Sequence, residues 1–307
     1  MSPIRVALKV DCDTYVGTRD GVPRLLDIFR SRRIGATFFF TFGPDRSGVA
    51  VARIFKRPGF LAKMVRSRAP SLYGLRTALS GTLLPAPLIG ERCSDVIREA
   101  GRSGHETGVH AWDHVGWQDR LDRMGEAELR EHTGRAHAAY ERIFGEPARA
   151  CAAAGWTVDA RSLAAQEERG LLYASNTRLG PPFFASAGGR VLTTLEIPTT
   201  LPTLDETLAW PRLRSDEDQR AFFRDAPPPG VSVHTIHAEV EGRSKAPLFG
   251  RILDDWLEAG VSFPLLSEVA RETLARRDSV PVRPVVRTTL PGRGGTVATG
   301  WPERAAG

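Results

Sequence analysis

Two aspartates flank a cysteine at the end of the first apolar run, Lys9-Val10-Asp11-Cys12-Asp13. Side chains two apart on a strand point to the same side, so Asp11 and Asp13 share a face. One carboxylate can ligate a cation while the other stays free as a base. About a hundred residues later comes Gly104-His105-Glu106-Thr107-Gly108-Val109-His110-Ala111-Trp112-Asp113-His114. His110 and His114 stand at i and i+4, which on a helical turn puts them on one face, able to hold one metal ion. Neutral imidazoles favour zinc or neighbouring transition metals over magnesium. An Asp-His-His set with a spare carboxylate is what a metal-dependent hydrolase of amides or esters needs. Near the far end, Val231-Ser232-Val233-His234-Thr235-Ile236-His237 is apolar until its last residues. His237 at the strand end can protonate a leaving amine. His234 faces the other way and reads as a packed histidine.

The neighbouring polar residues have plainer readings. His105 reads as a histidine hydrogen-bonded in a turn, and Glu106 as a clamp on backbone or adjacent side chains. Asp113 reads as a partner for an imidazole N–H. His132 and His137 lie on an amphipathic segment and read as surface residues. No G-x-S-x-G, P-loop or G-x-G-x-x-G motif occurs.

The elements that must position these groups follow from periodicity. Residues 4–10 read as a buried strand. Gly21-Val22-Pro23 opens a helix to about Arg32, with proline in the first turn, where its missing donor costs nothing. Residues 36–42, with Phe38-Phe39-Phe40, read as a second buried strand. A helix near 91–100 leads into the Gly104–Gly108 turn and a short strand. Residues 126–144 form an amphipathic helix closed by Gly145 and Pro147. Helices near 158–169, 247–260 and 266–276 alternate with apolar runs at 171–174, 191–197 and 231–236. This alternation predicts an α/β fold with mostly parallel strands. Asp11 and Asp13 then sit at the carboxyl-terminal mouth, where such folds keep their sites.

A chain of 307 residues can bury a large core as one barrel-sized domain or two smaller ones. An apolar fraction of 41% and a mean hydropathy of -0.23 indicate a soluble protein. No run of 18 apolar residues suits a bilayer span, and the first residues are too few and too charged for a signal peptide. Cys12, Cys93 and Cys151 are odd in number and far apart, which favours a reducing compartment, each cysteine packing as a small buried residue. The net charge is +6 with a pI near 9.6. Much of it is local. Residues 46–90 contain Arg46, Arg53, Lys56, Arg57, Lys63, Arg66, Arg68 and Arg76 and no acidic residue. Leu72, Leu75, Leu79 and Leu83 share one helical face. A basic amphipathic segment of this kind suits a bilayer interface, each cation near an anionic leaflet contributing on the order of 1 kcal/mol. A helical hairpin packed on the body with a solvated basic face is the alternative. Nucleic acid is not expected, since no recognition motif accompanies the charge. Residues 276–307, rich in Pro, Gly and Arg, read as an irregular tail.

Taken together, Asp-x-Asp after the first strand, H-x-x-x-H after Gly-His-Glu, and Ile-His after a late strand resemble the polysaccharide deacetylase family, also called NodB-homology or carbohydrate esterase family 4. Within it the chain is similar to the deformylases that act on undecaprenyl-phosphate 4-deoxy-4-formamido-L-arabinose in lipid A modification. The strings that carry this are Asp11-Cys12-Asp13-Thr14, Gly17-Thr18-Arg19-Asp20-Gly21-Val22-Pro23, Ser71-Leu72-Tyr73-Gly74, His110-Ala111-Trp112-Asp113-His114, Cys151-Ala152-Ala153-Ala154-Gly155-Trp156 and Thr235-Ile236-His237-Ala238-Glu239-Val240-Glu241-Gly242.

The resemblance implies a distorted (β/α)7 barrel over residues 1–275, with a membrane-facing basic amphipathic insertion at about 46–90 and a tail at 276–307. It implies that Asp11 is the catalytic base and His237 the catalytic acid. Asp13, His110 and His114 would hold a divalent ion, zinc or a similar metal such as cobalt, nickel or manganese. The substrate would be a polyprenyl-phosphate-linked amino sugar, deformylated with release of formate in the aminoarabinose pathway of polymyxin resistance. Arg19, Lys56, Arg57, Lys63, Arg66, Arg68 and Tyr73 would contact substrate or the anionic inner-membrane surface. The protein would be cytoplasmic and peripheral on that membrane's inner face. Many relatives carry an Arg-x-Pro-x-Gly motif whose arginine orients the base. This chain has Cys151-Ala152-Ala153-Ala154-Gly155 there, so Asp11 needs another partner. A soluble polysaccharide or peptidoglycan N-deacetylase of the same fold and a non-catalytic glycolipid-binding module are the competing readings.

Overall fold

The computed structural model describes residues 2–49 and 79–302. Strand β1, Ile4–Cys12, is the hub of the fold: every residue from Val6 onward is buried. It pairs in parallel with β2, Thr37–Thr41, on one side and with β8, Gly230–His237, on the other. The sheet continues through β3, Glu106–Ala111, β4, Ala150–Cys151, β5, Tyr173–Ala174, and β7, Arg190–Glu196, all parallel. Its order is β8-β1-β2-β3-β4-β5-β7, followed by the antiparallel β6, Phe183–Ala187, and then β9, Val282–Pro284. The two ends of the parallel run come together just beyond β7. Thr200 and Leu201 donate their N–H groups to the Val233 carbonyl at 3.0 and 3.1 Å. The Thr199 and Thr235 hydroxyls bond at 2.7 Å. Seven parallel strands thus curl into the distorted (β/α)7 barrel expected from the sequence.

Strand alternation sorts the side chains into two layers. Phe38 and Phe40 face outward, where the edge of Phe29, from helix Val22–Arg32, packs on Phe38 at 6.0 Å. Phe39 faces the barrel interior with Ala7, Tyr173 and Val233. On β1 the inward row is Ala7, Lys9 and Asp11, so a lysine and an aspartate follow an alanine into the barrel axis. Three helices cover the outside with apolar faces: Val22–Arg32, Glu126–Phe144 and Ala246–Glu258. Glu126–Phe144 stops at Gly145, whose φ of 79° suits a residue without a Cβ. The loops after β1 and β8 interlock at Gly21: a Cβ there would stand 2.0 Å from the Ala238 carbonyl oxygen. Cys12, Cys93 and Cys151 are free and buried.

The tail departs from the sequence reading. β9 extends the main sheet, and β10, Val286–Thr288, forms an antiparallel ribbon with β11, Val297–Thr299. These strands are three residues long and β9 contains Pro284, which is tolerated at a sheet edge, so no alternating pattern marks them. Of the basic segment, Lys56, Arg57, Lys63, Arg66, Arg68 and Tyr73 lie outside the described residues. Its flanks meet: Gly48 donates to the Ser80 carbonyl at 2.9 Å, and the Ser80 hydroxyl to the Asp45 carbonyl at 2.8 Å. Among the described residues no helix is long and apolar enough to cross a membrane.

Candidate active site

The site forms at the carboxyl ends of β1, β3 and β8. Register places Asp11 directly beside His237, and the Ala238 N–H donates to the Asp11 carbonyl at 3.0 Å. His110 is the penultimate residue of β3, and His114 is the first residue of helix His114–Arg120. The i, i+4 pair therefore does not share a helical face. A strand-to-helix turn brings the two rings together, with centroids 5.2 Å apart. Asp113 caps that helix, its carboxylate accepting the Gly116 N–H at 2.8 Å. It also pairs with Arg46 at 3.0 Å. Asp113 thus serves the turn rather than an imidazole N–H, because its backbone is extended at the N-cap.

Asp13 faces both imidazoles. His110 Nε2 lies 3.1 Å from Asp13 Oδ1, and His114 Nε2 lies 3.3 Å from Asp13 Oδ2. One ligand atom from each residue falls within 4.8 Å of the others. Asp13 Oδ1 and both His110 nitrogens are buried without a hydrogen-bond partner among the described residues. Buried polar atoms seldom stay unpaired, and His110 Nε2 and Asp13 Oδ1 face the centre that His114 Nε2 also approaches. One carboxylate and two imidazoles fit a divalent transition metal. Burial works to raise the Asp13 pKa, but the adjoining His114 and His110 prevail and hold it well below the usual carboxylate range.

Asp11 and His237 stand on either side of this centre. Asp11 is buried, and Lys9 Nζ lies 3.1 Å from its Oδ2. Lys9 also donates to the Ser175 carbonyl at 3.2 Å and sits 5.0 Å from the Trp156 ring centroid. A lysine from the same strand therefore partners Asp11. His237 Nδ1 lies 3.3 Å from Asp205 Oδ1. Burial opposes charge on His237, but Asp205 outweighs it and raises the imidazole pKa well above its ordinary value. Two more buried acids brace the loop after β8. Glu239 accepts the Asp13 and Thr14 N–H groups and the Thr14 hydroxyl, and burial followed by the Asp13 charge pushes its pKa up to about 7. Glu241 accepts the His237 N–H at 2.9 Å, and burial pushes its pKa up to about 8.

Asp11, Asp13, His110, His114, Asp205, His237 and Glu239 line a cavity of about 160 Å³, together with Gln118, Gly155, Trp156 and Arg293. Trp156 follows Gly155 in the left-handed region, with φ of 53° and 62° respectively. A tryptophan held there is strained backbone at a site, a recurrent mark of functional positions.

Other expected residues fall elsewhere. Arg19 pairs with Asp20 and lies over Tyr15, and it does not line this cavity. His105 accepts the Ala36 N–H at 3.2 Å, and Glu106 accepts from the Thr37 hydroxyl and the Ser267 N–H. His234 packs between Phe223 and Trp256. His132 and His137 are not surface residues. His132 lies against Trp117 and accepts the Asp113 N–H at 3.0 Å, and burial lowers both pKa values to about 4. Sequence reasoning missed Lys9, Asp205 and Arg293. A lysine inside an apolar strand two residues before the base was the available signal for Lys9. Asp205 and Arg293 gave none, since each reads as an ordinary loop charge.

A model of the family described as polysaccharide deacetylase matches residues 2–174. Across 292 residues the chain is 37% identical to the "Probable 4-deoxy-4-formamido-L-arabinose-phosphoundecaprenol deformylase ArnD" of Shewanella sediminis (strain HAW-EB3), covering 95% of this chain and 93% of the relative. The protein of the same name from Wigglesworthia glossinidia brevipalpis is 32% identical, over 92% of this chain and 98% of its own. A solved allantoinase structure shares the fold, with a TM-score of 0.59 at 19% identity over 89% of this chain and 91% of that one. A family match over more than half the chain and relatives this similar along nearly its whole length agree with the barrel, and the chain belongs to the polysaccharide deacetylase family.

Proposed function

We propose that this protein is a metal-dependent amide hydrolase that removes the formyl group from 4-deoxy-4-formamido-L-arabinose carried on undecaprenyl phosphate. The convergence of Asp13, His110 and His114 beside a separate Asp11 and a charged His237 carries the reading. The substrate follows from the printed name of a relative 37% identical over 95% of the chain. Asp13, His110 and His114 would hold zinc or a similar transition metal, which supplies a Lewis acid that activates water and polarises the amide carbonyl. Asp11, buried beside Lys9, takes the proton of the attacking water. His237, kept charged by Asp205, gives its proton to the sugar nitrogen as the carbon–nitrogen bond breaks. The products are formate and the free amine. The basic side chains of segment 46–90 would meet the inner face of an anionic membrane, where a polyprenyl substrate resides.

The test is formate release from formamido-arabinose polyprenyl phosphate, with loss on chelation and recovery with added metal. Asp13→Ala loses bound metal and activity together, whereas Asp11→Asn keeps metal and loses turnover. An Asp11→Asn enzyme that retains most activity would contradict its assignment as base. Acetate release from chitin or peptidoglycan oligomers, with no formate from the lipid-linked sugar, would favour the soluble N-deacetylase instead.

A further inference from the structure

The tail delivers an arginine into the catalytic cavity. Arg293 lies in the loop between β10 and β11, and it lines the same cavity as Asp11, Asp205 and His237. Its guanidinium sits 4.6 Å from the Trp156 ring centroid, and Nη2 donates to the Gly155 carbonyl at 3.2 Å. Among the described residues, the carboxylates that act on Arg293 have closer partners. Glu206 is held by Arg178 through contacts of 2.6 and 3.0 Å, leaving Arg293 Nη1 at 3.7 Å. Asp205 is paired with His237. Arg293 Nε is buried and has no hydrogen-bond partner among the described residues. An arginine cannot shed its charge, and a buried charge is costly unless paired. This wall of the cavity therefore keeps a cation with donor capacity unused.

We infer that Arg293 binds the phosphodiester of the substrate and so selects a phosphate-linked sugar over a neutral one. The inference rests on the proposed deformylase reading and names the substrate group that this residue recognises. A planar guanidinium matches phosphate geometry through paired N–H donors. The cavity, at about 160 Å³, is small and is lined by the base, the acid and the metal-site residues together with Arg293. One small sugar ring reaching the acid therefore also comes within the wall that Arg293 forms. A sugar whose formamide nitrogen meets His237 would present its phosphate to another part of the same lining, to which Arg293 belongs. Arg293 touches the substrate away from the bond that breaks, so it acts on affinity and not on proton transfer.

The experiment compares two formamido-arabinose probes, a short polyprenyl phosphodiester and the neutral methyl glycoside, with wild-type enzyme, Arg293→Gln and Arg293→Lys. Arg293→Gln raises KM for the phosphodiester roughly 10- to 100-fold more than for the methyl glycoside, the loss expected of a charge-assisted hydrogen-bond pair. Arg293→Lys recovers part of that preference. Equal effects on both probes overturn the inference, as does an unchanged phosphodiester KM. Calorimetric titration of metal-free protein with diethyl phosphate gives a reading without turnover: wild type binds and Arg293→Gln does not. Equal binding by the two overturns the inference even where no formate is released. Wild-type enzyme that releases formate from neither probe refutes the deformylase reading instead. Thermal unfolding of each variant verifies that it is folded.

Discussion

Replacing Lys9 by methionine strips Asp11 of the ammonium 3.1 Å from its Oδ2 while nearly keeping the volume of the side chain. Both groups are buried, Lys9 at 0% and Asp11 at 3% relative exposure, so water cannot take over for the lost partner. Unit charges at 3.1 Å with an effective dielectric near 20 attract by about 5 kcal/mol. Desolvation consumes part of that in the intact pair, yet removing one partner leaves the other charge exposed to the full penalty, about 3–5 kcal/mol. Burial lowers the Lys9 pKa while Asp11 acts to raise it, so Asp11→Asn lets the lysine shed its proton and costs less than Lys9→Met. The double variant Lys9→Met/Asp11→Asn buries no charge at this position. Urea unfolding of wild type, both singles and the double, in chelator at neutral pH, closes a thermodynamic cycle. The expected coupling is about 3 kcal/mol, with the double more stable than the sum of the singles implies. Turnover adds a second readout: Lys9→Arg keeps a cation against Asp11 and retains activity that Lys9→Met loses. Additive single effects, or a Lys9→Met enzyme with wild-type stability and rate, would refute the argument that this lysine holds the base.

Two further outcomes follow from the same geometry. Asp205→Asn removes the carboxylate 3.3 Å from His237 Nδ1, the strongest influence opposing burial at that imidazole, so it gives up its proton at lower pH; the alkaline limb of kcat moves down, and a limb that stays in place would separate Asp205 from acid catalysis. Burial lowers the His132 and His137 pKa values to about 4, below the unfolded value near 6.5. Between those values the unfolded chain binds more protons, so their contribution is complete above about pH 6.5 and is lost as pH falls toward 4. His137→Leu should flatten the fall in urea midpoint between pH 7.5 and pH 5, and an unchanged slope would show that His137 is not buried neutral in solution.

Local pattern made much of this protein readable from sequence. The apolar runs at β1, β2 and β8, the proline-opened helix Val22–Arg32 and the glycine-closed helix Glu126–Phe144 stand within a residue or two of where periodicity and capping put them. Asp11, Asp13, His110, His114 and His237 announced themselves because each ends an apolar strand or follows a glycine turn, where a polar residue has no packing reason to be. The tertiary structure decided their partners. Alternation along β1 puts Lys9 beside Asp11, but only closure of the barrel buries the pair, and Asp205 meets His237 only because the segment after β7 folds across β8. Arg293 reaches the cavity across more than a hundred residues, on a ribbon too short to leave a periodic trace. His132 and His137 look like surface residues along their own helix, and become half-buried because the neighbouring elements cover that face. A sequence encodes which residues alternate along one element; which elements close around them is set by packing among distant segments, and pairing of charge in this barrel belongs to that second level.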